Sequence, residues 1–255
     1  MITTVIFDLD GTLVQTEKLK ALSYAKAAVD LCPNSLTEDD ITEAFKDVVG
    51  LSRREVATTL VERFDLGEKA KGLMDEYGVD KPWRAYVQRR LEHYHKMIED
   101  PETLRSNRWP YTLELLETVK AHGCKVALAT MSHCEQTNKV LGVLELREMF
   151  DIVATRDDVE NSKPDPEIYN LVMDELDSGP QETMVIEDSP AGVEAALNAG
   201  TDVIAVATPF TQKRLHSLDR LPKSRLVDDP ENLLEVVAGV FEEHAGTQSL
   251  FKEDS

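Results

Sequence analysis

Short apolar runs recur along the chain, and most of them end in a polar residue. The first, Thr3–Asp8, contains β-branched and aromatic side chains. Runs of roughly four to eight such residues, bounded by polar positions, are typical of strands buried in a parallel sheet. Similar runs follow later in the chain and end at Thr130, Thr155, Asp188 and Ala207. The pattern predicts a series of buried strands.

Helical periodicity separates these apolar runs. It extends over about Thr112–His122, and it resumes after Ser132 and again after Pro166. A further helix is expected to begin at Ser189, a favourable N-cap, and to end at Gly200. Strands that alternate with helices form parallel sheets through right-handed crossovers. We therefore predict an α/β fold, a Rossmann-like parallel sheet with helices on both faces.

The segment after the first strand has helical periodicity and no strand run. Its amphipathic stretches include Glu17–Leu31, Arg53–Phe64 and Trp83–Ile98. We predict a small helical domain over residues 15–104, inserted into an α/β core made of residues 1–14 and 105–255. Linkers are expected near Leu13–Thr16 and Pro101–Pro110, and the polar chain after about Gly246 is expected to fray.

The net charge of the chain disfavours polyanionic binding partners. It has 48 acidic residues against 28 Lys and Arg, a formal net charge of −20. Nucleic acids and anionic membranes attract basic surfaces, so neither is an expected partner. The net charge by itself favours nothing more specific than solubility.

The cysteines and the apolar runs together favour a cytoplasmic protein. Cys32, Cys124 and Cys134 form no CxxC pair and cannot all be paired, which favours a reducing compartment. The longest apolar runs fall well short of the roughly 20 residues that a transmembrane helix needs. The first run ends at Asp8 and lacks a basic flank, so a strand is expected there rather than a signal peptide.

Polar residues that could carry chemistry follow the predicted strands. They are Asp8, Asp10, Thr130, Lys163, Glu187 and Asp188. Ligands of open α/β sheets bind at the carboxyl ends of the strands, so these residues are expected to converge. Clustered carboxylates repel each other unless a cation is shared, and oxygen ligands without His or Cys favour Mg²⁺. A lysine and a hydroxyl beside them suit a phosphate group.

Each of these residues alone has a plainer interpretation. Asp8–Thr12 could begin a calcium loop, although Thr12 and the strand context do not fit one. Glu187 and Asp188 could serve only the start of the helix that follows them. Lys163 could be an ordinary loop lysine, and Thr130 alone indicates nothing. The order of these residues, all after predicted strands, favours a shared site.

The motifs in combination resemble the haloacid dehalogenase superfamily of hydrolases. They are DLDGT at 8–12, the threonine after the second strand, SKPDPEIY at 162–169 and VIEDSPAGVEAALNAG at 185–200. The resemblance covers nearly the whole predicted core and implies phosphoryl transfer through an aspartyl phosphate. Dehalogenases and phosphonate hydrolases of the family lack the second aspartate, which is Asp10 in this chain. The inserted helices resemble the small cap domain of the family.

The resemblance also implies roles for individual residues. Asp8 would be the nucleophile and Asp10 the general acid and base. Thr130 and Lys163 would bind the phosphoryl group, and Lys163 would also steady Asp8. A Mg²⁺ ion would be held by Asp8, the backbone carbonyl of Asp10, Glu187 and Asp188, with Glu187 binding directly or through water.

A closer resemblance to β-phosphoglucomutases suggests where the substrate binds. Gly50–Arg53 is similar to their substrate loop, and Tyr94–Ile98, preceded by Arg90, is similar to their last cap helix. The substrate-binding residues expected from the cap, the linker and the loop after Thr130 are Thr16, Lys20, Arg53, Arg90, Ser132 and His133. For Arg53 and Arg90 a solvated helix position is the alternative.

Two departures from the mutase pattern favour a phosphatase. Lys20 stands where the mutases have a histidine, and Met131 replaces a common asparagine. The first hypothesis is therefore a Mg²⁺-dependent phosphatase of a small phosphorylated metabolite, most simply a sugar phosphate. A β-phosphoglucomutase-type isomerase and a non-catalytic binding module are the alternatives. The protein is expected to act as a monomer or a homodimer.

Overall fold

A computed structural model describes residues 1–49 and 51–245 of the chain. Gly50 of the expected substrate loop and the polar tail after Gly246 lie outside the described residues. The described chain divides into two compact units. The first consists of residues 1–15 and the chain from 104 onward, and the second of residues 16–103.

A six-stranded parallel sheet forms the centre of the first unit. In chain order the strands are β1 (Thr4–Phe7), β2 (Lys125–Ala129), β3 (Ile152–Ala154), β4 (Thr183–Glu187), β5 (Asp202–Val206) and β6 (Leu226–Val227). Their order across the sheet is β3-β2-β1-β4-β5-β6, and all neighbours run parallel. The α/β fold with a parallel sheet is confirmed, and β6, a two-residue edge strand, was not predicted.

Twelve of the described α-helices lie between these strands in the sequence, and one follows the last strand. They are α1 (Thr16–Leu31), α2 (Glu38–Phe45), α3 (Arg53–Arg63), α4 (Gly67–Lys71), α5 (Met74–Tyr77), α6 (Pro82–Glu99), α7 (Pro101–Ser106), α8 (Pro110–Ala121), α9 (Cys134–Leu144), α10 (Glu167–Glu175), α11 (Pro190–Asn198), α12 (Gln212–Leu215) and α13 (Leu233–Ala245). The helix expected from Ser189 has Ser189 as its N-cap, and the Ser189 side chain accepts a hydrogen bond from the Gly192 amide.

The sheet is covered on both faces, which explains why the interior positions of its strands are apolar. Ile6 and Val185 face a cluster that includes Tyr169 of α10 and Val193 of α11. Because side chains alternate along a strand, Val5 and its neighbours face the other way, where α8 packs on β2 and α13 packs on α8. A doubly covered strand has no solvent side, so polar alternation is absent.

The order of the strands places the ends of β1 and β4 side by side. β1 pairs with β2 on one side and with β4 on the other. The chain therefore returns from β3 to the opposite side of β1 before continuing outward. Such a switch point leaves a crevice at the carboxyl ends of the strands, where ligands of this class of fold bind.

The second unit consists of helices, with α1 packed against α6 and α2. The hydroxyl of Tyr86 donates a hydrogen bond to the carbonyl of Tyr24, 2.8 Å away. Arg90 is buried in this unit, and its guanidinium carbon lies 4.8 Å from the ring centre of Tyr24 and 5.1 Å from that of Tyr94. Arg90 is therefore not the solvated helix position considered as an alternative.

The second expected linker is partly helical. Pro101 starts α7, which runs to Ser106, where a linker was expected over Pro101–Pro110. Proline suits the first turn of a helix, and the Asp100 carboxylate accepts a hydrogen bond from the Glu102 amide at 3.0 Å. The predicted linker segment therefore begins with a short helix.

The structure also describes the state of the cysteines and the lengths of the helices. The three cysteines, Cys32, Cys124 and Cys134, are free thiols. Among the described residues, no helix is both long enough and apolar enough to span a bilayer.

Replacing Arg90 by alanine should lower the free energy of unfolding by about 1–3 kcal/mol, because a buried cation–π contact and its packing are lost. Urea denaturation measures the change. Arg84 is the matched control, since it lies 5.3 Å from the ring of Trp83 but is exposed. Arg84→Ala should change stability by less than about 1 kcal/mol. Equal losses in both variants would contradict a packing role specific to Arg90.

Candidate active site

Asp8 lies where β1 ends, and the chain turns directly after it. Its amide donates a hydrogen bond to the carbonyl of Ile186 at 3.0 Å, which continues the β1–β4 ladder by one step. Gly11 lies in this turn with a φ of +95°. Its amide donates a hydrogen bond to the carbonyl of Val14 at 2.8 Å. This positive φ favours glycine. The turn leaves the Asp8 carboxylate almost fully buried at the sheet edge.

Lys163 brings three parts of this edge together. Its ammonium lies 2.8 Å from Asp8 Oδ1, 2.9 Å from the carbonyl oxygen of Ala129 and 2.7 Å from Glu187 Oε1. The side chain of Lys163 is only 5% exposed. An ammonium group has three N–H donors, and here each donor has an acceptor. Lys163 therefore links the ends of β1, β2 and β4.

Glu187 is held by hydrogen bonds at both oxygens. Oε1 accepts from Lys163 and from the hydroxyl of Tyr169, at 2.7 and 3.0 Å. Oε2 accepts from the amides of Asp188 and Ser189, both at 2.9 Å, and from the Ser189 hydroxyl at 3.0 Å. These five bonds fix the carboxylate and the turn that carries Asp188.

Two glycines make room for the carboxylates of β4. A Cβ added at Gly11 would lie 2.1 Å from Asp188 Oδ2, and one added at Gly192 would lie 1.7 Å from Glu187 Oε1. Either distance is far inside van der Waals contact. A side chain at either position would therefore displace a carboxylate, which explains why both positions are glycine.

Burial and neighbouring charges set the protonation of the cluster. Burial raises the pKa of Asp8 to about 7, although the Lys163 ammonium opposes the rise. Burial would also raise the pKa of Glu187, but Lys163 and the hydrogen bonds to the carboxylate hold it below its ordinary value. For Lys163, burial favours the neutral form, yet Asp8 and Glu187 keep its pKa well above the usual range. Lys163 and Glu187 thus form a charged pair.

The carboxylates of Asp8, Glu187 and Asp188 fit a cation. Each offers an oxygen, and the three oxygens lie within 4.8 Å of one another. All three residues are buried, and Asp188 has no exposed surface. A buried set of oxygen ligands without His or Cys suits Mg²⁺. A cation beside Asp8 would also favour its charged form, against the effect of burial.

The loop after β2 approaches Asp10. Thr130 is buried, and its hydroxyl oxygen accepts a hydrogen bond from the Ser132 amide at 3.1 Å. The hydroxyl of Ser132 donates to Asp10 Oδ2. The hydroxyl hydrogen of Thr130 remains available as a donor to an oxyanion. Thr130, Ser132 and Asp10, all expected at the site, therefore lie together.

His133 ends this loop, and its side chain contacts Asp157. Its side chain is 61% exposed, and Nδ1 lies 2.6 Å from Asp157 Oδ1. Asp157 belongs to a short 3₁₀ turn, Arg156–Asp158, that follows β3. The bond to Asp157 fixes one edge of the imidazole ring.

The remaining expected substrate residues belong to the helical unit. Thr16 is the buried first residue of α1, and Lys20 is half-buried one turn later. Arg53 is the exposed first residue of α3, after Ser52, whose hydroxyl accepts from the Glu55 amide at 3.3 Å. Arg90 lies on α6, buried between tyrosine rings. These four residues are thus distributed over three helices of their unit, and their role in substrate binding stays a prediction.

Two residues of the site were not assigned a role from the sequence. Tyr169 lies with its ring 4.9 Å from the Lys163 ammonium and donates to Glu187. Tyr169 is the last residue of the SKPDPEIY motif, six residues after Lys163. Its place in that motif was the sequence feature that could have indicated a role at the site. No sequence feature indicated a role for Asp157, because its contacts depend on how the loop after β3 packs against the loop after β2.

Comparison with known proteins agrees with this geometry. The model of the haloacid dehalogenase-like hydrolases matches residues 5–206. A phosphorylated carbohydrates phosphatase of Thermotoga maritima is 34% identical over 200 residues, which cover 78% of this chain and 82% of the relative. The pyrophosphatase PpaX of Bacillus cereus is 27% identical over 239 residues, 94% of this chain and 98% of the relative.

A solved structure extends the similarity to the fold. A candidate beta-phosphoglucomutase from Thermotoga maritima superposes with a TM-score of 0.67 and 28% identity, covering 94% of this chain and all of its own. The family resemblance inferred from the motifs is therefore confirmed. With a family match over residues 5–206 and the motif residues gathered at one sheet edge, the chain belongs to the haloacid dehalogenase-like hydrolases.

Proposed function

We propose that the protein is a Mg²⁺-dependent phosphatase that hydrolyses a small phosphorylated metabolite, most simply a sugar phosphate. One observation carries the proposal: Lys163 lies 2.8 Å from the buried Asp8 carboxylate, and an oxygen of the buried Asp188 carboxylate lies within 4.8 Å of an Asp8 oxygen. A nucleophilic carboxylate next to a cation site is what phosphoryl transfer through an aspartyl phosphate requires.

The names of the relatives support the substrate class. One acts on phosphorylated carbohydrates by name, and the other is named a pyrophosphatase. Both names describe hydrolysis of a phosphate bond, and the first has the higher identity to this chain. The net charge of −20 further disfavours polyanionic partners. A cytoplasmic location and a monomer or homodimer remain part of the proposal.

Asp8, the backbone carbonyl of Asp10, and Asp188 would hold the Mg²⁺ ion. Glu187 uses both oxygens in hydrogen bonds to the protein, so it suits a ligand that acts through water better than a direct one. When bound, the ion would neutralise charge that develops on the phosphoryl oxygens.

In the first step Asp8 attacks phosphorus. The bond from an Asp8 carboxylate oxygen to phosphorus forms while the bond from phosphorus to the leaving oxygen breaks. Lys163 orients the carboxylate through Oδ1 and offsets the negative charge of the phosphoryl group. Thr130 can donate its hydroxyl hydrogen to a phosphoryl oxygen. Protonated Asp10 gives its proton to the leaving oxygen.

In the second step water releases the phosphate. Asp10, now a carboxylate, takes a proton from water as the water oxygen bonds to phosphorus. The bond between phosphorus and the Asp8 oxygen breaks, and the Asp8 carboxylate is restored. The Ser132 hydroxyl donates a hydrogen bond to Asp10 Oδ2 and so orients the carboxylate for this exchange.

A β-phosphoglucomutase-type isomerase is the second candidate. The similarity to the candidate beta-phosphoglucomutase, at 28% identity over 94% of the chain, favours it. A mutase must protect its phosphoenzyme from water until the sugar phosphate returns. Lys20 and Met131, which depart from the mutase pattern, disfavour it.

A panel of sugar phosphates and pyrophosphate, assayed with and without Mg²⁺, tests the function. We expect release of inorganic phosphate from at least one sugar phosphate, lost with EDTA and restored by added Mg²⁺. A coupled assay for glucose 6-phosphate, started from β-glucose 1-phosphate with a trace of the bisphosphate, runs beside it. Isomerisation without phosphate release would favour the mutase. No turnover of any phosphate ester would contradict both.

Asp8→Asn should lower phosphatase activity toward p-nitrophenyl phosphate by about 10³-fold or more, because the nucleophile is lost. Asp174→Asn, an exposed carboxylate on α10, is the matched control and should retain full activity. Circular dichroism verifies that both variants fold. Comparable activity of Asp8→Asn and wild type would exclude Asp8 as the nucleophile.

Gly192→Ala should reduce activity and lower the free energy of unfolding by about 1–3 kcal/mol, because the new methyl group displaces Glu187. Gly142→Ala on α9 is the control, since a Cβ there meets no atom within 4 Å. It should be neutral or stabilise by up to about 1 kcal/mol. Equal stability and equal activity of the two alanine variants would contradict the requirement for close packing between Gly192 and Glu187.

A further inference from the structure

We propose that Asp157 positions the acid–base carboxylate of Asp10 through the loop that joins β2 to α9. The inference rests on the proposed phosphatase function, and it adds a residue that lies outside the family motifs of the chain. The series of contacts runs from Asp157 to residues 133 and 134, from there to Ser132, and from Ser132 to Asp10.

Both carboxylate oxygens of Asp157 hold this loop. Oδ1 lies 2.6 Å from His133 Nδ1, and Oδ2 accepts a hydrogen bond from the Cys134 amide at 2.8 Å. The Cys134 amide belongs to the first residue of α9. The N-cap residue of that helix, His133, makes no side-chain capping bond of its own. Asp157 therefore caps α9 from a different loop, an arrangement that stabilises a helix start.

A third contact joins the same two loops. The amide of Arg156 donates to the carbonyl of Ser132 at 3.1 Å. The loop after β3 thus contacts Ser132, His133 and Cys134 in succession. The bonds from Cys134 and His133 also lower the pKa of Asp157, so the carboxylate is charged at neutral pH.

Ser132 transmits the position of the loop to Asp10. Its side chain is buried, its amide bonds the Thr130 hydroxyl at 3.1 Å, and its own hydroxyl bonds Asp10 Oδ2. Asp10 itself is only partly buried. A shift of the loop would therefore alter the orientation of Asp10. Misplacement of a catalytic group by about 1 Å can cost about 10²-fold in rate.

A mispositioned acid affects some substrates more than others. Proton transfer from Asp10 matters little when the leaving group is an acidic phenol such as p-nitrophenol. It matters more when the leaving group is weakly acidic, as with phenol itself. A change that acts through Asp10 should therefore steepen the dependence of kcat/KM on leaving-group pKa. A general loss of stability should lower all rates alike.

The experiment measures kcat/KM for a series of substituted phenyl phosphates with the full-length protein. For Asp157→Ala we expect phenyl phosphate to lose about 10- to 100-fold, as for other residues that orient a functional group. p-Nitrophenyl phosphate should lose less than about 3-fold. Asp157→Asn should stay near wild type, because its amide oxygen can still accept from the Cys134 amide.

Asp151 is the matched control at the other end of β3. Its Oδ2 accepts from the Val126 amide at 2.7 Å, so it too joins the β2 and β3 segments, but at the opposite edge of the sheet. Asp151→Ala should lower the stability of the protein without changing the slope of log kcat/KM against leaving-group pKa. If Asp157→Ala fails to fold, Asp157→Ser replaces it, because the shorter side chain cannot reach both partners.

The outcomes separate the two proposals. A steeper slope in Asp157→Ala, with slopes of Asp157→Asn and Asp151→Ala parallel to wild type, supports the inference. A slope of Asp157→Ala parallel to wild type overturns it while leaving the phosphatase function intact. A wild-type protein that hydrolyses none of the phenyl phosphates overturns the proposed function, and the inference with it.

Discussion

The buried ammonium of Lys163 is the contact on which the site depends. It joins Asp8, Glu187 and the carbonyl of Ala129, which lie at the ends of three neighbouring strands. Removing it would leave two buried carboxylates facing each other with no protein cation between them, which is strongly unfavourable. The network is therefore electrostatic at its centre, and the surrounding hydrogen bonds determine where each carboxylate points.

The carboxylates near Lys163 are closely packed, and under the proposed function they would form a binding site for an anionic substrate in a negatively charged protein. Gly11 and Gly192 let the backbone approach the carboxylates of Asp188 and Glu187. The chain carries a net charge of −20, so long-range attraction of a phosphate ester is not expected. Under the proposed function, attraction would come from nearby groups, such as Lys163 and the Mg²⁺ ion that Asp8 and Asp188 would hold. The substrate would then be held by local charge rather than guided by the field of the whole protein.

Much of the core could be predicted from the sequence because its signals are local. The runs that end at Asp8 and Thr130 are continuous and apolar, and covered parallel strands require this. The two-residue strand β6 has no such run, so it could not be recognised. Arg90 resembles a surface residue in the sequence, yet it stacks on two tyrosines that only the packing of α1 on α6 brings near. Asp157 likewise gains its role only where two loops meet.

The central claim is that Asp8 becomes phosphorylated during turnover. The most direct test is a rapid acid quench during hydrolysis of p-nitrophenyl phosphate, followed by mass spectrometry of the peptide that contains residues 8–12. The account predicts a transient phosphoryl group on Asp8 that forms before phosphate is released and disappears as the substrate is consumed. Steady phosphate release with no phosphoryl group on Asp8 at any time would contradict it.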